Sequence, residues 1–334
     1  MMRDVSTRPT NRDWLLFGLI SLFWGSSYLF IKIGVETLQP FTLIAGRLFF
    51  GTLVLGAALM LVRAPLPRDR ATYAKLVFMA VFSIVIPFSL ITWGEQYIDS
   101  SLAAILQATT PLFTIVIASL ALAEEAITVN RLVGLIIGFG GVVVLFSHGL
   151  SGGRGDSLQG EIALVLSSLS YAIGNVFVRV RMRGFHPTVP AFFQVSIAFL
   201  MISVLVVLFE SPIRLPGDAR TWFAVVWLGV FGSSLAYLIY FRLVHVLGAT
   251  RMSLITYLMP IVGIVLGLLV LIETIDIRTV VGAAIILAGV GLVNSHRPSR
   301  TIFGRSASGD DGRRPAESVT AGDDGRPATT LIET

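Results

Sequence analysis

The residues with the greatest capacity for chemistry are polar side chains inside apolar runs long enough to cross a membrane. Arg47 follows Pro40 by seven residues in QPFTLIAGRLFFG. An arginine at the centre of a spanning helix costs about 2.5–3.5 kcal/mol and normally faces a partner or a cavity. Its planar fork of donors suits a carboxylate or another anion. Arg47 is therefore a candidate ligand for an anionic or zwitterionic solute, unless its long side chain extends outward to the membrane surface.

Two further runs each contain a proline near the middle of an apolar stretch. Pro111 lies in ILQATTPLFTIVIASLALAEE (105–125) and Pro260 in LITYLMPIVGIVLGLLVLIE (254–273). A proline removes one backbone hydrogen bond, and interrupted helices can offer freed carbonyls to a polar ligand at the membrane midplane. The polar neighbours of the two breaks are Gln107, Thr109, Thr110, Ser253, Thr256 and Tyr257. Simple bending, with the carbonyl satisfied by neighbouring side chains, is the structural alternative.

Other polar and aromatic residues occupy matching spans and are candidates to line a substrate site. They are Trp24, Ser27, Tyr28, Tyr171, Asn175 and Gln194. Aromatic rings also serve as core packing or as an interfacial belt. The amide of Gln194 needs hydrogen-bond partners in the hydrocarbon, which a neighbouring helix supplies as readily as a ligand.

The sequence offers no catalytic centre. It has no cysteine, and its four histidines fall in loops or at span ends. A membrane-embedded enzyme would need a nucleophile with a base, a carboxylate pair or a metal cluster within the spans. We therefore expect no catalytic residue, no metal and no cofactor.

Charged residues at span ends are expected to have ordinary surface roles. Lys32 and Glu36 have the spacing of an i,i+4 ion pair. Glu95 and Glu161 lie near the outer boundary, where solvation at the interface is expected, with a role in proton coupling as the alternative. Because no carboxylate lies deep inside a span, proton coupling is not evident. Facilitated diffusion or exchange is the expected mode of transport.

Composition identifies the elements that must position these residues. The chain is 54% hydrophobic and 13% charged, whereas soluble domains have about 25% charged residues. Apolar stretches near the 20 residues needed to cross the hydrocarbon occur ten times, and each must be helical in lipid. The predicted spans are 14–34, 41–62, 73–93, 101–123, 130–147, 158–180, 188–209, 221–241, 248–272 and 278–294.

The distribution of Lys and Arg predicts that both termini are cytoplasmic, in a multi-pass protein of the plasma or inner membrane. One side carries Arg3, Arg8, Arg12, Arg63, Arg68, Arg70, Lys75, Arg131, Arg179, Arg181, Arg183, Arg242, Arg251, Arg297 and Arg300. The other side carries Lys32, Arg154, Arg214, Arg220 and Arg278. The net charge of +5 then reflects topology and contact with anionic membrane lipid rather than nucleic-acid binding.

The sequence repeats itself. A shift of 147 residues superimposes LFWGSSYLFIK (22–32) on LSYAIGNVFVR (169–179), and Arg47 then falls on Gln194. Pro111 meets Pro260 after a slip of two residues. Because each half has an odd number of spans, the halves enter the membrane from opposite sides. This inverted repeat is common among secondary transporters.

A resemblance to a known family is carried by LFWGSSYLFIKIG, QPFTLIAGRLFFG and LQATTPLFTIVIASLALAEEAITVNRLVGLIIGFGGVVVLF in the first half and by GEIALVLSSLSYAIGNVFVRV in the second. Residues 14–294 resemble the EamA branch of the drug/metabolite transporter superfamily. The resemblance implies ten transmembrane helices in two inverted five-helix repeats around a central cavity. It also implies export or exchange of small metabolites, amino acids or drugs, without naming the substrate. Glu125 and Glu273 match the glutamate that ends the fourth helix of each half, where capping and gating are alternative roles.

The predicted organisation is an N-terminal cytoplasmic tail (1–13), a first repeat (14–147), an external linker (148–157), a second repeat (158–295) and a disordered cytoplasmic tail (296–334). The tail is polar and rich in Gly, Pro and Asp. Gly134, Gly138, Gly141, Gly282 and Gly289 are expected to let helices approach closely. A monomer is expected, with homodimer contact through these glycines as the alternative. A receptor or structural protein without transport activity is the alternative function.

Overall fold

The computed structural model describes residues 10–122, 127–151, 155–182, 185–252, 254–295 and 301–303. Ten helices are formed in these ranges: α1 (Asn11–Val35), α2 (Pro40–Val62), α3 (Arg70–Gly94), α4 (Ser100–Ala121), α5 (Val129–Ser151), α6 (Gly155–Arg181), α7 (Thr188–Phe209), α8 (Ala219–Trp227, Leu228–Leu235 and Ala236–Met252 in succession), α9 (Ile255–Val270) and α10 (Ile277–Val293). Eight are long and apolar enough to cross a membrane, and α9 and α10 are shorter apolar helices. The prediction of an all-α membrane protein with ten helices is confirmed.

The bundle has two ends, which we call the terminal side and the far side. The terminal side holds the start of α1 and the end of α10, and the far side holds the α1–α2 and α3–α4 connections. On the terminal side a short strand after α4, β1 (Ile127–Thr128), pairs antiparallel with a strand after α10, β2 (Thr301–Phe303). β2 lies within the predicted tail, where backbone pairing with β1 holds Thr301–Phe303 as a strand; the disorder of the remaining tail stays a prediction. Residues 304–334 of the tail lie outside the described residues.

The two halves of the chain pack against each other through equivalent helices. Equivalent helices face each other in two pairs, α2 with α7 and α5 with α10. The first helix of each half packs against the third and fourth helices of the other: α1 lies against α8 and α9, and α6 lies against α3 and α4. This reciprocal packing is the arrangement that an inverted repeat predicts.

Glycines bring the backbones of α5 and α10 into direct contact. A Cβ atom placed on Gly134 would lie 2.7 Å from the carbonyl oxygen of Gly289, and one on Gly141 would lie 2.9 Å from that of Gly282. A Cβ atom on Gly289 would overlap the backbone nitrogen of Gly138. The predicted packing role is confirmed. These glycines face a helix of the same chain, so they do not supply the alternative homodimer contact.

Replacing Gly289 with Ala should destabilise the bundle, because the added methyl group meets backbone atoms that cannot rotate away. Overpacking of this kind costs about 1–3 kcal/mol. Gly140 on α5 is the matched control, since a Cβ atom there has nothing within 4 Å. We expect Gly289→Ala to lower the thermal midpoint of the detergent-solubilised protein and Gly140→Ala to leave it unchanged or raise it. Equal midpoints for the two variants would contradict the close approach of α5 and α10.

The third helix of each half is locally widened into a π-helix. The widened segments are Val81–Val85 in α3 and Leu228–Leu235 in α8, and they begin 147 residues apart, as the repeat does. Widening displaces backbone carbonyls from the regular ladder. The first helix of the opposite half contacts each segment: Trp24 Nε1 donates to the Gly232 carbonyl over 3.2 Å, and Ser170 Oγ donates to the Phe82 carbonyl over 2.9 Å.

The two prolines act differently. The fourth helix is interrupted between Gln107 and Thr110, and Pro111 lies in the first turn of its second piece, Thr110–Ala121. Pro260 instead lies inside the continuous helix α9, so the prediction of an interruption there is wrong. The helix α9 begins at Ile255, directly after the connection from α8, and Ser253 in that connection lies outside the described residues.

The predicted boundary between the eighth and ninth spans is also wrong, because α8 continues to Met252 rather than ending at 241. Leu243, Leu247 and Met252 are buried in a cluster with Phe17 and Ile20 of α1. Packing against α1 therefore extends the helix beyond its apolar window.

Three helices begin with the same aspartate cap. Asp69, Asp218 and Asp276 each accept a hydrogen bond from the backbone N–H of the threonine three residues later, over 2.7–2.8 Å. Hydrogen bonds from Thr72 lower the pKa of Asp69, and those from Thr221 lower the pKa of Asp218, because they stabilise the ionised carboxylates. These caps mark the starts of α3, α8 and α10.

Candidate functional site

Arg47 is held inside the protein. Its side chain is 5% exposed, its Nε donates to Ser233 Oγ over 2.8 Å, and its guanidinium carbon lies 3.9 Å from the centre of the Phe88 ring. These contacts join α2 to the widened part of α8 and to α3. The alternative in which Arg47 extends outward to the membrane surface is therefore wrong.

Small residues make room for this arginine between α2 and α8. A Cβ atom on Gly229 would lie 2.6 Å from the carbonyl oxygen of Arg47, and one on Gly232 would lie 3.0 Å from Ser27 Oγ and 3.6 Å from Arg47 Nη2. Ser234 Oγ donates to the carbonyl of Gly229 over 2.7 Å. The widened segment thus places Ser233 beside the arginine. Its glycines permit the close approach of α2, and Ser234 satisfies a backbone carbonyl of the irregular turn.

Tyrosines from both halves lie within electrostatic range of the guanidinium. Arg47 interacts electrostatically with Tyr28 of α1, Tyr171 of α6 and Tyr237 of α8. Trp24 packs edge-to-face on Tyr237, with ring centres 5.9 Å apart, and in a tilted arrangement on Tyr240 at 5.5 Å. The structure therefore brings the predicted residues Trp24, Ser27, Tyr28, Arg47 and Tyr171 into one group, which we call the arginine cluster.

Sequence reasoning missed Ser233 and Tyr237. They stand four residues apart in an apolar span, so they share a helix face. That spacing is the one signal that could have identified them. In the first half, the residues 147 positions earlier are Ile86 and Leu90, which are apolar. Comparison of the two repeats therefore does not identify Ser233 and Tyr237 as site residues.

Gln107 and Thr110 form a second polar group at the break in α4. Gln107 Nε2 donates to Thr110 Oγ1 over 3.1 Å, and its Oε1 accepts from Ser167 of α6 over 2.9 Å. The carbonyls freed by the break accept from hydroxyls of the chain itself: Thr109 Oγ1 donates to Leu106 over 2.7 Å, and Thr110 Oγ1 donates to Gln107 over 2.9 Å. The hydrogen bonds of Gln107 and Thr110 support the alternative of simple bending, in which side chains of the protein rather than a ligand satisfy the freed carbonyls.

The remaining predicted substrate-site residues are more dispersed. Gln194 is buried on α7, the helix that faces Arg47's helix, whereas Asn175 is exposed on α6. Thr256 and Tyr257 are half-buried on α9, and the Tyr257 hydroxyl accepts from Asn294 Nδ2 over 3.5 Å. Their roles toward a substrate stay predictions.

Glu273 caps a helix of the opposite half on the far side. Its two carboxylate oxygens accept hydrogen bonds from the backbone N–H and the hydroxyl of both Ser100 and Ser101, at the start of α4. We call this contact the Glu273 clamp. It has the geometry of the capping role, and it also ties the end of α9 to the first half. Glu125 lies outside the described residues.

A second carboxylate forms a similar contact nearby. Glu210, at the end of α7, accepts from the backbone N–H groups of Phe41 and Thr42 over 2.7 Å each. Lys32 donates to the carbonyls of Glu95 and Ile98 over 2.7 Å each, and Glu36 pairs with Arg220 at 3.3 Å. The predicted Lys32–Glu36 pair is therefore wrong, because each side chain has a better-placed partner on another helix.

Cavities of about 180 Å³ and 430 Å³ open on the far side, beside Glu273 and beside Glu210. Neither is lined by Arg47. The central cavity implied by the resemblance stays a prediction.

Comparison with known proteins supports the repeat. The model of the EamA-like transporter family matches residues 13–147 and 158–295. The uncharacterized transporter YoaV of Bacillus subtilis is 23% identical over 83% of this chain and 95% of its own length. The uncharacterized inner membrane transporter YedA of Escherichia coli is 31% identical over 75% of this chain and 81% of its own length. Protein PagO of Salmonella typhimurium is 28% identical, with coverage of 75% and 82%.

A solved crystal structure shares the fold, with a TM-score of 0.62 over 85% of this chain and 98% of that one. Its sequence identity is 17%, so this likeness concerns the fold alone. The resemblance to the EamA branch is confirmed over both halves of the chain.

Proposed function

Because the chain belongs to the EamA-like transporter family, we propose that it moves a small metabolite, an amino acid or a drug-like solute across the membrane by alternating access, as an exporter or exchanger. It is a membrane transporter of the drug/metabolite transporter type. The substrate class and the direction of transport are the parts that we propose.

The arginine cluster is the observation that carries the proposed binding site. Arg47 is a buried cation without a carboxylate in hydrogen-bonding contact within the described ranges, and its bond to Ser233 uses one of five guanidinium donors. A buried charge needs compensation. We propose that the carboxylate of an anionic or zwitterionic solute supplies it, with Tyr28, Tyr171 and Tyr237 packing around the rest of the molecule.

The burial of α4 supports access from the terminal side. Its far-side piece, Ser100–Gln107, is buried along nearly its whole length, whereas its terminal-side piece has only Leu112 and Ala118 buried. Asn175 is exposed on the face of α6 that also carries Tyr171, one turn closer to the terminal side. We propose that this arrangement faces inward, with the terminal side cytoplasmic as the Lys and Arg distribution predicts.

A flux assay tests the proposed function. The purified chain is reconstituted in liposomes loaded with radiolabelled glutamate, threonine, glucose or tetraphenylphosphonium. Efflux of each tracer is compared with its efflux from liposomes that were loaded in the same way but contain no protein, which we call empty vesicles. We expect an amino acid to leave faster than from empty vesicles and to be slowed by unlabelled competitors of its own class. Empty-vesicle rates for all four tracers would contradict the proposed substrate class.

A further inference from the structure

Two carboxylates are buried without any partner. Glu95, directly after α3, and Glu161, near the start of α6, are each 0% exposed. Among the described residues none of their four carboxylate oxygens has a hydrogen-bond partner. The expectation that they are solvated at the membrane boundary is therefore wrong, because α3 and α6 cross closely beside them: a Cβ atom on Gly160 would lie 2.8 Å from the carbonyl oxygen of Gly94.

Burial of this kind determines the charge of the group. An ionised carboxylate without a partner in a low-dielectric environment is far more costly than a neutral one, so the group takes up a proton instead. Burial accordingly raises the pKa of the Glu95 carboxyl group and favours its protonated form. A group that must be neutral in one conformation and is hydrated in another binds a proton as part of the conformational change.

The surroundings of Glu95 distinguish it from Glu161. The charged and titratable groups that act on Glu95 are Lys32 and Tyr28 of α1, Arg47 of α2 and Glu273 at the end of α9. The ammonium of Lys32 donates to backbone carbonyls rather than to this carboxylate. No charged group acts on Glu161 within the part of the chain that the structure describes.

Glu95 therefore interacts electrostatically both with Arg47 of the arginine cluster and with Glu273 of the clamp. If Glu95 loses its proton, its negative charge repels the Glu273 carboxylate that closes the far side, and it attracts Lys32 and Arg47. Neutral Glu95 permits both the clamp and the close crossing of α3 and α6. Closure of the far side and protonation of Glu95 are thus linked equilibria.

We propose that Glu95 is a proton-binding site whose occupancy closes the far side of the transporter. The carboxylate of Glu95 accepts a proton from water on the far side while that side is open, and the neutral group is then buried as α3, α4 and α6 close over it. Loss of the proton to far-side water accompanies reopening. The proposal rests on the proposed transport function, and it makes the outward-to-inward step depend on the pH of the far side.

The experiment measures far-side opening without any solute. The chain has no cysteine, so spin labels attach only to introduced Gln96→Cys and Thr274→Cys, which replace exposed residues beside the α3–α4 and α9–α10 connections. The distance distribution between the labels is recorded in lipid nanodiscs from about pH 5 to about pH 9, because burial raises the pKa of the Glu95 carboxyl above its ordinary value.

We expect a short distance to dominate at low pH and the ratio of long to short distances to rise about tenfold at high pH, a typical coupling between linked sites. Glu95→Gln is a permanently neutral mimic and should keep the short distance throughout. Glu36→Gln removes an exposed far-side carboxylate that pairs with Arg220, and as the control it should retain the response of the parent. Glu95→Asp keeps a titratable group and should restore the response, which separates a loss of the proton site from a loss of folding.

Two results would overturn the proposal: a normal pH response in Glu95→Gln, or its disappearance in Glu36→Gln with Glu95 intact. Because no solute is present, a negative flux assay and a negative distance measurement are separate results. The first contradicts the proposed substrate class, and the second contradicts the proton site.

Discussion

Arg47→Gln should reduce the transport of an anionic or zwitterionic solute by about 100-fold, because two hydrogen bonds between the guanidinium and a carboxylate contribute about 3 kcal/mol together. Glutamine is the residue that the second half carries at the equivalent position, Gln194, so the change keeps a polar side chain of similar length. Lysine would not be an equivalent substitute, since it lacks the planar fork. The measurement is tracer flux of glutamate and threonine from proteoliposomes.

The control for Arg47→Gln is Arg220→Gln. Arg220 is another arginine of the same chain, but its side chain is 56% exposed and pairs with Glu36 on the far side. An exposed ion pair contributes about 0–1 kcal/mol, so this variant should transport normally. Both variants are compared by size-exclusion profile to show that they fold. Unchanged flux in a folded Arg47→Gln variant would remove Arg47 from the mechanism.

Glu273→Gln is expected to open the far side. The carboxylate accepts four hydrogen bonds at the start of α4, where the helix dipole also favours a negative charge. An amide offers one acceptor oxygen and replaces the other with a donor, which faces Ser101 or Ser100 unfavourably. Loss of two charge-assisted bonds at about 1.5 kcal/mol each would shift the far-side equilibrium by about 100-fold.

Hydrogen–deuterium exchange measures the opening of the far side in Glu273→Gln directly. The backbone N–H groups of Ser100 and Ser101 are bonded to Glu273, so a peptide covering Ser100–Gln107 should exchange about 100-fold faster in Glu273→Gln. Glu36→Gln is the matched control, because it removes a far-side carboxylate from an exposed ion pair. If both variants exchange at the same rate as the parent in this peptide, the clamp does not hold the far side closed.

Much of the fold follows from patterns that are local or periodic in the sequence. Ten apolar stretches predict ten helices, the match of LFWGSSYLFIK with LSYAIGNVFVR predicts two inverted halves, and the glycines of the fifth and tenth spans predict close packing. These inferences succeed because membrane insertion depends on the apolarity of each segment alone, and because a duplicated sequence folds into a duplicated structure.

The candidate site was less predictable. Arg47 was predicted as a site residue because an arginine in a spanning helix is costly. Its distance of seven residues from Pro40 could not distinguish a side chain that extends outward to the membrane surface from a buried one. Ser233 and Tyr237 were missed, and Pro260 does not break its helix. Glu95 and Glu161 were placed at the boundary by their position in the chain, whereas the crossing of α3 with α6 buries them.

The sequence by itself determined the spans, the repeat and the set of polar residues carried within the membrane, since each of these depends on residue type and spacing along one segment. Only the tertiary structure decided which polar groups meet. The widening of α8 that presents Ser233 to Arg47, the capping of α4 by Glu273 and the isolation of the Glu95 carboxylate all arise from contacts between distant segments. Such contacts depend on how close two helices approach and how they are rotated, and no single segment encodes either quantity.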